Sequence, residues 1–396
     1  MSRFRLAPTR DQVPGLLESC RHARYVWNVG LEQRLMWRPG RPAAPGFVAQ
    51  AAQLTEARAA QLWLKAGSQM VQQQALRDLD QAWRNFYAGT HGRPSWRRKG
   101  VHEGFRVAGP QAQRVEKLNR KWGRVLVPKV GWVKFRLSRA VPPAKSYRVT
   151  CDRSGRWHIA FAVVPAPIAA PGTGAIVGVD RGVTVSAALS TGELLSCPGL
   201  SAREQARLKR LQRRLCRAWR GSNRRARIKA AIARWKARET DRRKNWVEQT
   251  STDLARGFDT IRIENLKIRA LTRSARGTIE SHGRNVRAKA GLNRGILASG
   301  WGQLAARLEH KAPGRVERVR PAYTSQTCSA CGHCAPDSRE NQAVFRCVAC
   351  RYEANADVNA AVNIAGGTAA GRAVDTRRET GVSVSEKREP QLATST

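Results

Sequence analysis

Long apolar runs are missing from this chain. No stretch approaches the ~20 consecutive apolar residues that a membrane-spanning helix needs, and the mean hydropathy of the 396 residues is −0.50. The segment Met1–Arg10 also has no apolar core of the kind found in secretion signals. These absences exclude a membrane partner and predict a protein that stays in the cytoplasm.

Acidic residues are also few. The chain has 29 Asp and Glu against 72 Lys and Arg, which gives a net charge of +43. This charge exceeds what solubility requires, and so many like charges repel one another unless a polyanion neutralises them. Because a membrane surface is excluded, the composition predicts a long nucleic acid as the partner.

A disulfide framework is the third feature that the sequence excludes, since nine cysteines are an odd number in a long chain without a secretion signal. Four of them form two Cys-x-x-Cys pairs with fifteen residues between the pairs: Cys328, Cys331, Cys347 and Cys350. This spacing is typical of a zinc ribbon, in which four thiolates hold one structural Zn²⁺ ion. The neighbouring His333 and Cys334 are predicted to lie outside the ligand set.

Three acidic residues stand at the ends of predicted elements. Asp180 ends an apolar run that begins at Ile176, which predicts a buried strand followed by a turn at Gly182. Glu264 ends a segment whose isoleucines alternate with polar residues, as in a half-buried strand. Asp357 opens an alanine-rich segment and is predicted to cap a short helix. The three carboxylates are therefore predicted to meet at one site.

Such a site has a definite chemistry. Two divalent cations held about 4 Å apart by carboxylates activate a water molecule and neutralise the leaving oxygen of a phosphodiester. Oxygen ligands favour Mg²⁺ or Mn²⁺. Taken singly, each acid is more simply a solvated loop acid, a strand-end acid or a helix cap. Their order and contexts together favour a metal-dependent nuclease of the RNase H-like type.

The pattern of apolar residues changes along the chain. Residues 11–90 carry apolar side chains at helical spacing. Residues 91–170 contain short β-type runs broken by proline and glycine, and a strand at residues 3–8 is expected to return and complete a β-barrel there. A linker at residues 165–174 precedes the nuclease fold, and the tail, residues 371–396, is predicted to be disordered.

The most basic stretch covers residues 201–246, with eighteen Arg and Lys and three acids. Two apolar seams run through it, at Leu208, Leu211, Leu215 and Trp219 and at Ile228, Ile232 and Trp235. The turn at residues 221–223 lies between them, so the segment is predicted to form an α-hairpin whose basic flanks contact phosphates. Six arginines near the turn are the predicted nucleic-acid contacts: Arg213, Arg214, Arg217, Arg220, Arg224 and Arg225.

One further helix is predicted over residues 292–311. Apolar side chains recur there at three- or four-residue spacing, at Leu297, Trp301, Leu304 and Leu308. This stripe is typical of a helix that packs on the core of the nuclease fold.

Several motifs, in one order, resemble the TnpB proteins of insertion sequences, which are compact relatives of type V CRISPR effectors. The resemblance is carried above all by residues 178–183, 263–266, 323–332 and 356–364, and it extends to residues 25–34, 72–86 and 128–134. It thus covers nearly the whole chain up to about residue 370. The sequence departs from the family pattern at Arg351, where a glycine is usual, and at Asn355, where a histidine is frequent.

The resemblance implies an α/β multidomain fold with an RNase H-like (RuvC) nuclease domain. The implied parts are a wedge β-barrel (1–10 and 91–170), an inserted helical recognition domain (11–90), the nuclease domain (171–326 and 351–370) and a zinc ribbon inserted in it (327–350). Asp180, Glu264 and Asp357 match the three RuvC carboxylates that hold two Mg²⁺ or Mn²⁺ ions. The implied partners are a guide RNA and a target DNA, in a prokaryotic protein that associates with the nucleoid when bound to DNA.

The leading hypothesis is a transposon-encoded RNA-guided DNA endonuclease. Charge and carboxylates alone do not distinguish RNA guidance from direct reading of DNA, so guidance rests on the resemblance. A compact type V CRISPR effector shares every motif, and a guided DNA-binding repressor without cleavage has no use for acids directed at phosphate. A transposase or recombinase needs a strand-joining nucleophile, for which there is no separate motif. The oligomeric state stays open.

Overall fold

The computed structural model describes residues 2–38, 40 and 43–367. The chain divides into two compact units, the first made of Met1–Pro165 and Ala206–Ala237 and the second of Ala166–Gln205 and Arg238–Thr396. The predicted disordered tail, residues 371–396, lies outside the described residues, as does the segment 368–370 of the predicted nuclease domain. Within the described part of the chain, no helix has both the length and the apolar character that crossing a bilayer requires.

Four helices lie in the N-terminal part of the first unit: α1 (Gln12–Leu35), α2 (Phe47–Ala60), α3 (Leu62–Ala66) and α4 (Gln69–Tyr87). α1 and α4 share a core cluster of Trp27, Leu31, Leu79 and Trp83. The buried face of α1 runs through Leu16 and Cys20 at helical spacing. Leu17 lies one position away from this face and is exposed.

Seven antiparallel strands form the sheet of the first unit: β1 (Ser2–Ala7), β2 (Glu103–Ala108), β3 (Val115–Lys117), β4 (Trp122–Val127), β5 (Gly131–Arg136), β6 (Ser146–Cys151) and β7 (Trp157–Phe161). Their order is β2-β6-β7-β1-β5-β4-β3, with a 3-10 turn at Pro110–Gln113. Phe4 of β1 packs edge-on against Phe135 and Phe161, with ring centroids 5.5 and 5.8 Å away. The predicted return of the first strand is thus observed, whereas closure into a barrel stays a prediction.

A mixed five-stranded sheet lies in the second unit: β8 (Ile176–Asp180), β9 (Ala187–Leu189), β10 (Leu194–Leu195), β11 (Thr260–Glu264) and β12 (Val316–Val319). The order is β10-β9-β8-β11-β12, and the three strands β8, β11 and β12 are parallel. Val177, Val179, Ile261 and Ile263 are fully buried in its core. Such an apolar run is what a parallel strand covered on both faces requires.

The basic stretch forms two helices, α5 (Ala202–Arg217) and α6 (Asn223–Gly257). α6 continues well past the predicted end of the hairpin, and its last turns place Val247 and Leu254 in the core of the second unit. The seam prediction is right for Leu208 and Ile228, which are buried, and wrong for Trp219, of which 84% is exposed. Because α5 ends at Arg217, the helical spacing that suggested a buried Trp219 no longer applies to it.

Three helices follow β11: α7 (Ile268–Leu271), α8 (Val286–Ser299) and α9 (Trp301–Lys311). The predicted single helix over residues 292–311 is therefore wrong. Gly300 has a φ of +79°, a left-handed conformation that glycine adopts without strain and that ends α8. Leu304 and Leu308 of α9 are buried, whereas Leu297 of α8 is exposed.

The last elements are two short strands and a helix: β13 (Val344–Arg346), β14 (Glu353–Asn355) and α10 (Ala356–Ala365). A 3-10 turn at Pro336–Ser338 precedes them. β13 and β14 pair antiparallel. Phe345, which stands between the two Cys-x-x-Cys pairs in the sequence, is buried in a small core with Cys328 and Cys347.

Candidate metal centres

Asp180 and Glu264 stand at the same end of neighbouring strands. β8 and β11 pair in parallel, with Val179 beside Ile263. Each acid is the next residue of its strand, so the register sets the two acids side by side. The carboxyl ends of parallel strands meet at one edge of a sheet, which is where α/β folds place their ligands.

α10 brings Asp357 to the same place. It crosses β8 so closely that a Cβ on Gly178 would lie 2.0 Å from the carbonyl oxygen of Ala361, and only glycine fits there. The predicted capping role of Asp357 is wrong. The cap is Asn355, whose side-chain oxygen accepts hydrogen bonds from the backbone N–H groups of Asp357 and Val358, at 3.0 and 3.2 Å. The carboxylate of Asp357 is therefore not used to cap the helix.

Two of the three carboxyl groups, those of Asp180 and Glu264, have a raised pKa. Burial, followed by the charges of Glu264 and Asp357, raises the pKa of Asp180 to about 7. Burial also raises the pKa of Glu264, although the Thr324 hydroxyl, which donates to Oε1 at 2.9 Å, and the nearby Arg181 oppose this shift. Bound cations would relieve the repulsion between these groups.

Arg181 follows Asp180 and is almost fully buried, with 4% of its surface exposed. Its guanidinium does not pair with a carboxylate. It donates instead to the main-chain carbonyls of Glu264 and of Trp301, the second at 3.5 Å. The indole of Trp301 in turn donates to the carbonyl of Gly182 at 3.0 Å. Arg181 thus brings positive charge to the site and leaves the carboxylate oxygens available as ligands.

Arg339, unlike Arg181, pairs with a carboxylate: it donates to Oδ1 of Asp357 at 3.3 Å. Arg181, Thr324 and Arg339 were all missed by the sequence analysis. An arginine directly after a buried apolar strand is a usable signal, because a charge at such a position needs internal partners. Thr324 lies in the 323–332 motif, but nothing there marks its hydroxyl as a partner of Glu264, and nothing in the local sequence marks Arg339.

The four cysteines form a second, tighter cluster. Their Sγ atoms all lie within 4.8 Å of one another, and they are the only group of three or more Cys, His, Asp or Glu ligand atoms this close among the described residues. The pairs Cys328–Cys350 and Cys331–Cys347 are 3.7 and 3.6 Å apart. Zn–S bonds of about 2.3 Å in a tetrahedron give roughly this spacing. His333 and Cys334 lie outside the set, as predicted.

Each Cys-x-x-Cys pair is closed by a tight turn. Gly332 N–H donates to the Cys328 carbonyl at 2.9 Å, and Arg351 N–H donates to the Cys347 carbonyl at 3.0 Å. Both donors have left-handed backbones, with φ of +77° and +63°. This explains the glycine usual at position 351 in the family, and Arg351 pays a modest conformational cost there. Burial raises the pKa of the Cys347 thiol, but the N–H groups of Cys350 and Ala349 outweigh it and lower the pKa to about 6.

Two asparagines of α10 connect the cysteine cluster to the carboxylates. Asn359, which is 1% exposed, accepts from Ser329 N–H at 2.9 Å and donates to the Thr327 carbonyl at 2.8 Å. Asn363 donates to the carbonyls of Thr324 and Thr327 at 2.9 and 2.7 Å. Asp357 lies on the same helix, so the position of its carboxylate depends on the base of the cysteine cluster.

The six predicted arginine contacts lie around the tip of the α5–α6 hairpin. Five of them are exposed: Arg213, Arg214, Arg217, Arg220 and Arg224. Arg225 is half-buried and donates to the carbonyls of Leu215 and Ala218, at 2.6 and 2.9 Å. It therefore holds the two helices together at the turn.

Known proteins share both halves of this arrangement. Residues 158–275, which include Asp180 and Glu264, match the family described as "Probable transposase" (OrfB_IS605), and residues 301–364, which include the cysteines and Asp357, match the "Cas12f1-like, TNB domain". Among solved structures, the "Cas12f1-sgRNA-target DNA complex" has a TM-score of 0.47 and 14% identity over 90% of this chain and 82% of that chain, a likeness too distant to assign residues.

Two relatives are closer in sequence. The "Putative RNA-guided DNA endonuclease InsQ" of Escherichia coli (strain K12) is 36% identical over 318 residues, which are 79% of this chain and 77% of that protein. The "Putative RNA-guided DNA endonuclease" of Streptomyces pristinaespiralis is 32% identical over an alignment 410 residues long, which covers 99% of this chain and 96% of that protein. With these identities and coverages, the chain belongs to the TnpB family.

Proposed function

We propose that the protein is a transposon-encoded, RNA-guided DNA endonuclease that hydrolyses phosphodiester bonds of its target. The observation that carries the proposal is the meeting of Asp180 and Glu264 on paired parallel strands beneath the helix that bears Asp357. The two relatives named above are described as RNA-guided DNA endonucleases, which supports the same activity.

The three carboxylates fit divalent cations by chemistry and charge. Oxygen donors suit Mg²⁺ or Mn²⁺, and the pKa of Asp180 is raised by burial and then by the charges of Glu264 and Asp357. The carboxylate oxygens do not gather as closely as the four sulfurs do, so we propose a two-ion site and not a cage for one ion. Bound there, the cations would activate water and stabilise the leaving oxygen.

The protein's own groups prepare this site. Asp180, Glu264 and Asp357 would hold the cations, and Thr324 fixes the orientation of the Glu264 carboxylate through its hydroxyl. Arg181 fixes the backbone at the end of β11 by donating to the Glu264 carbonyl. Arg339 must give up its bond to Asp357 for both oxygens of that carboxylate to become ligands.

The cysteine cluster is proposed to hold one structural Zn²⁺ ion. All four positions are sulfur, which leaves no open coordination site for a substrate. Its role is therefore to fold the segment from Thr327 to Tyr352 and, through Asn359 and Asn363, to place α10.

The basic surface is proposed to bind a guide RNA and the target DNA. The net charge of +43 provides the attraction, and the exposed arginines near the tip of the α5–α6 hairpin are the proposed phosphate contacts. The seven-stranded sheet and helices α1 to α4 correspond to the proposed wedge and recognition domains.

The test is reconstitution. The full chain is expressed with its flanking element, the co-purifying RNA is sequenced, and the complex is incubated with Mg²⁺ and DNA that matches the RNA. Cleavage that needs both the matching RNA and Asp180 supports the proposal. Binding to matched DNA without cleavage in Mg²⁺ or Mn²⁺ contradicts it and favours a guided repressor. A neighbouring CRISPR array that supplies the RNA favours a compact CRISPR effector.

A further inference from the structure

The tip of the α5–α6 hairpin displays a tryptophan. Trp219 is 84% exposed, the largest exposed fraction of any tryptophan in the described residues, where the next largest is 45%. A fully solvated indole costs free energy that packing would recover. The indole of Trp219 is therefore accessible to a binding partner.

Hydrogen bonds close the backbone turn that carries Trp219. Its carbonyl accepts hydrogen bonds from the N–H and the hydroxyl of Ser222, at 3.3 and 2.9 Å. Arg225 donates to the carbonyl of Ala218, immediately before it, at 2.9 Å. Gly221 completes the turn with a φ of +87°. The indole is thus presented on a closed turn, which lowers the entropy lost when a partner binds.

The surroundings of Trp219 select the partner. The exposed side chains that flank it along the chain include three cations, Arg217, Arg220 and Arg224, beside the uncharged Cys216 and Asn223. A protein partner that covers the indole would rarely also neutralise so many arginines. A nucleic acid does both, because its phosphates pair with the arginines and its flat bases stack on the indole. Trp235 of the same hairpin differs from Trp219. It is half-buried, and the guanidinium carbon of Arg207 lies 5.8 Å from the centroid of its ring, so this indole has a contact within the protein.

We propose that Trp219 stacks on an unpaired base of the guide RNA, and that the flanking arginines hold the phosphates on either side. The RNA is favoured over the DNA because a folded RNA has loops and bulges with unstacked bases, whereas the DNA target arrives as a duplex. This inference rests on the proposed function for the existence of the guide RNA.

Stacking and phosphate contacts differ in how they depend on salt. A phosphate contact releases counterions, so its loss flattens the slope of log affinity against log salt by roughly 0.7 for single-stranded RNA. Stacking releases none. Trp219→Ala is expected to weaken RNA binding about 5- to 150-fold at every salt concentration, with the slope unchanged, whereas Arg220→Gln flattens the slope.

The experiment measures affinity of the full-length protein for its co-purified RNA, resynthesised, without DNA. Trp219→Phe keeps a π-face and is expected to bind nearly as tightly as wild type, whereas Trp219→Leu keeps only a smaller apolar side chain without that face and is expected to resemble Trp219→Ala. Unchanged melting temperatures show that the variants are folded. Photo-crosslinking then identifies the nucleotide at Trp219, and an RNA abasic at that position should show no further loss with Trp219→Ala.

The outcomes separate the two proposals. If the wild type binds the RNA and cleaves matched DNA but Trp219→Ala binds the RNA as tightly, the stacking role is overturned and the proposed function stands. If Trp219→Leu binds like wild type, the contact is apolar and not a stack. If Trp219→Ala weakens only DNA binding, the base that stacks on Trp219 belongs to the DNA and the assignment to the guide RNA is wrong. If the protein binds no RNA at all, the proposed function itself fails.

Discussion

The four thiols and the three carboxylates are assembled in opposite ways. In each Cys-x-x-Cys pair, two residues stand between the cysteines and form a local turn. All four sulfurs lie within 4.8 Å of one another. The carboxylates come from two strands and a helix that are far apart in the chain. Burial, followed by the charges of Glu264 and Asp357, raises the pKa of Asp180 to about 7. The thiol cluster is therefore compact and built from local turns, whereas the carboxylates meet only through distant segments and carry a repulsion that bound cations would relieve.

The largest expected effect separates the roles of the two clusters. Asp180→Ala, Glu264→Ala and Asp357→Ala should each reduce cleavage below about a hundredth of the wild-type rate, because each removes an ion ligand. Guided DNA binding and zinc content should not change. Single-turnover cleavage, a binding assay and mass spectrometry of the metal check this, with the exposed Asp253→Ala as control. A variant that keeps more than about a tenth of the rate removes that residue from the metal site.

The second prediction tests whether the thiol cluster supports the carboxylate cluster. Cys328→Ser should lose the zinc and lower cleavage about 10- to 100-fold, because the base of the cysteine cluster holds α10 through Asn359. Cys334→Ser is the matched control, since its sulfur lies outside the ligand set. Native mass spectrometry counts the zinc. A Cys328→Ser protein that retains one zinc per chain would show that this residue is not a ligand, and a zinc-free protein with full activity would show that the clusters are independent.

The third prediction concerns Arg181, the buried arginine that follows Asp180. Arg181→Leu should slow cleavage about tenfold or more and raise the Mg²⁺ concentration needed for half the maximal rate. The reason is that the buried carbonyls of Glu264 and Trp301 lose their hydrogen-bond donor, which costs about 1–3 kcal/mol. Arg315→Leu is the control, since Arg315 also donates to main-chain carbonyls, of Phe258, Ile168 and Ala255.

The readouts for Arg181 are a Mg²⁺ titration of the rate and calorimetric binding of Mn²⁺ without nucleic acid. A loss of stability alone, equal in Arg181→Leu and Arg315→Leu and without any change in Mn²⁺ affinity, would contradict a role for Arg181 at the site.

The fourth prediction concerns stability and not cleavage. The pKa of Asp180 is about 7 in the folded protein and 3.8 as its ordinary value. Folded protein therefore holds this proton more tightly than unfolded protein, and stability is lost as the pH rises from about 4 through 7. Above pH 7 the charged carboxylate costs on the order of 4 kcal/mol before cations bind.

Asp180→Asn should therefore raise the melting temperature at pH 8 and change it little at pH 4, when Mg²⁺ and Mn²⁺ are omitted. Chelators must be omitted as well, because they would also remove zinc. Adding Mg²⁺ should stabilise the wild type more than the variant. An equal effect of the substitution at both pH values would show that Asp180 is not buried among like charges.

Several features were predictable because their cause is local. The thiol spacing and the apolar runs before Asp180 and Glu264 are properties of a few neighbouring residues. Predictions failed where a local pattern crossed the end of an element. Trp219 continued the spacing of α5 but lies beyond its last residue, and Leu297 and Leu304 shared a stripe that Gly300 divides.

By itself the sequence determined the charge of the chain, the cysteine pairs and the three acids at the ends of elements, since these depend on composition and on neighbours. Only the tertiary structure decided that β8 and β11 are adjacent and in register, that α10 rests on Gly178, and that Arg181 donates to main-chain carbonyls and not to a carboxylate. These facts depend on pairing between distant segments. Burial and the mutual repulsion of charges, which raise the pKa of Asp180, exist only once those segments have met.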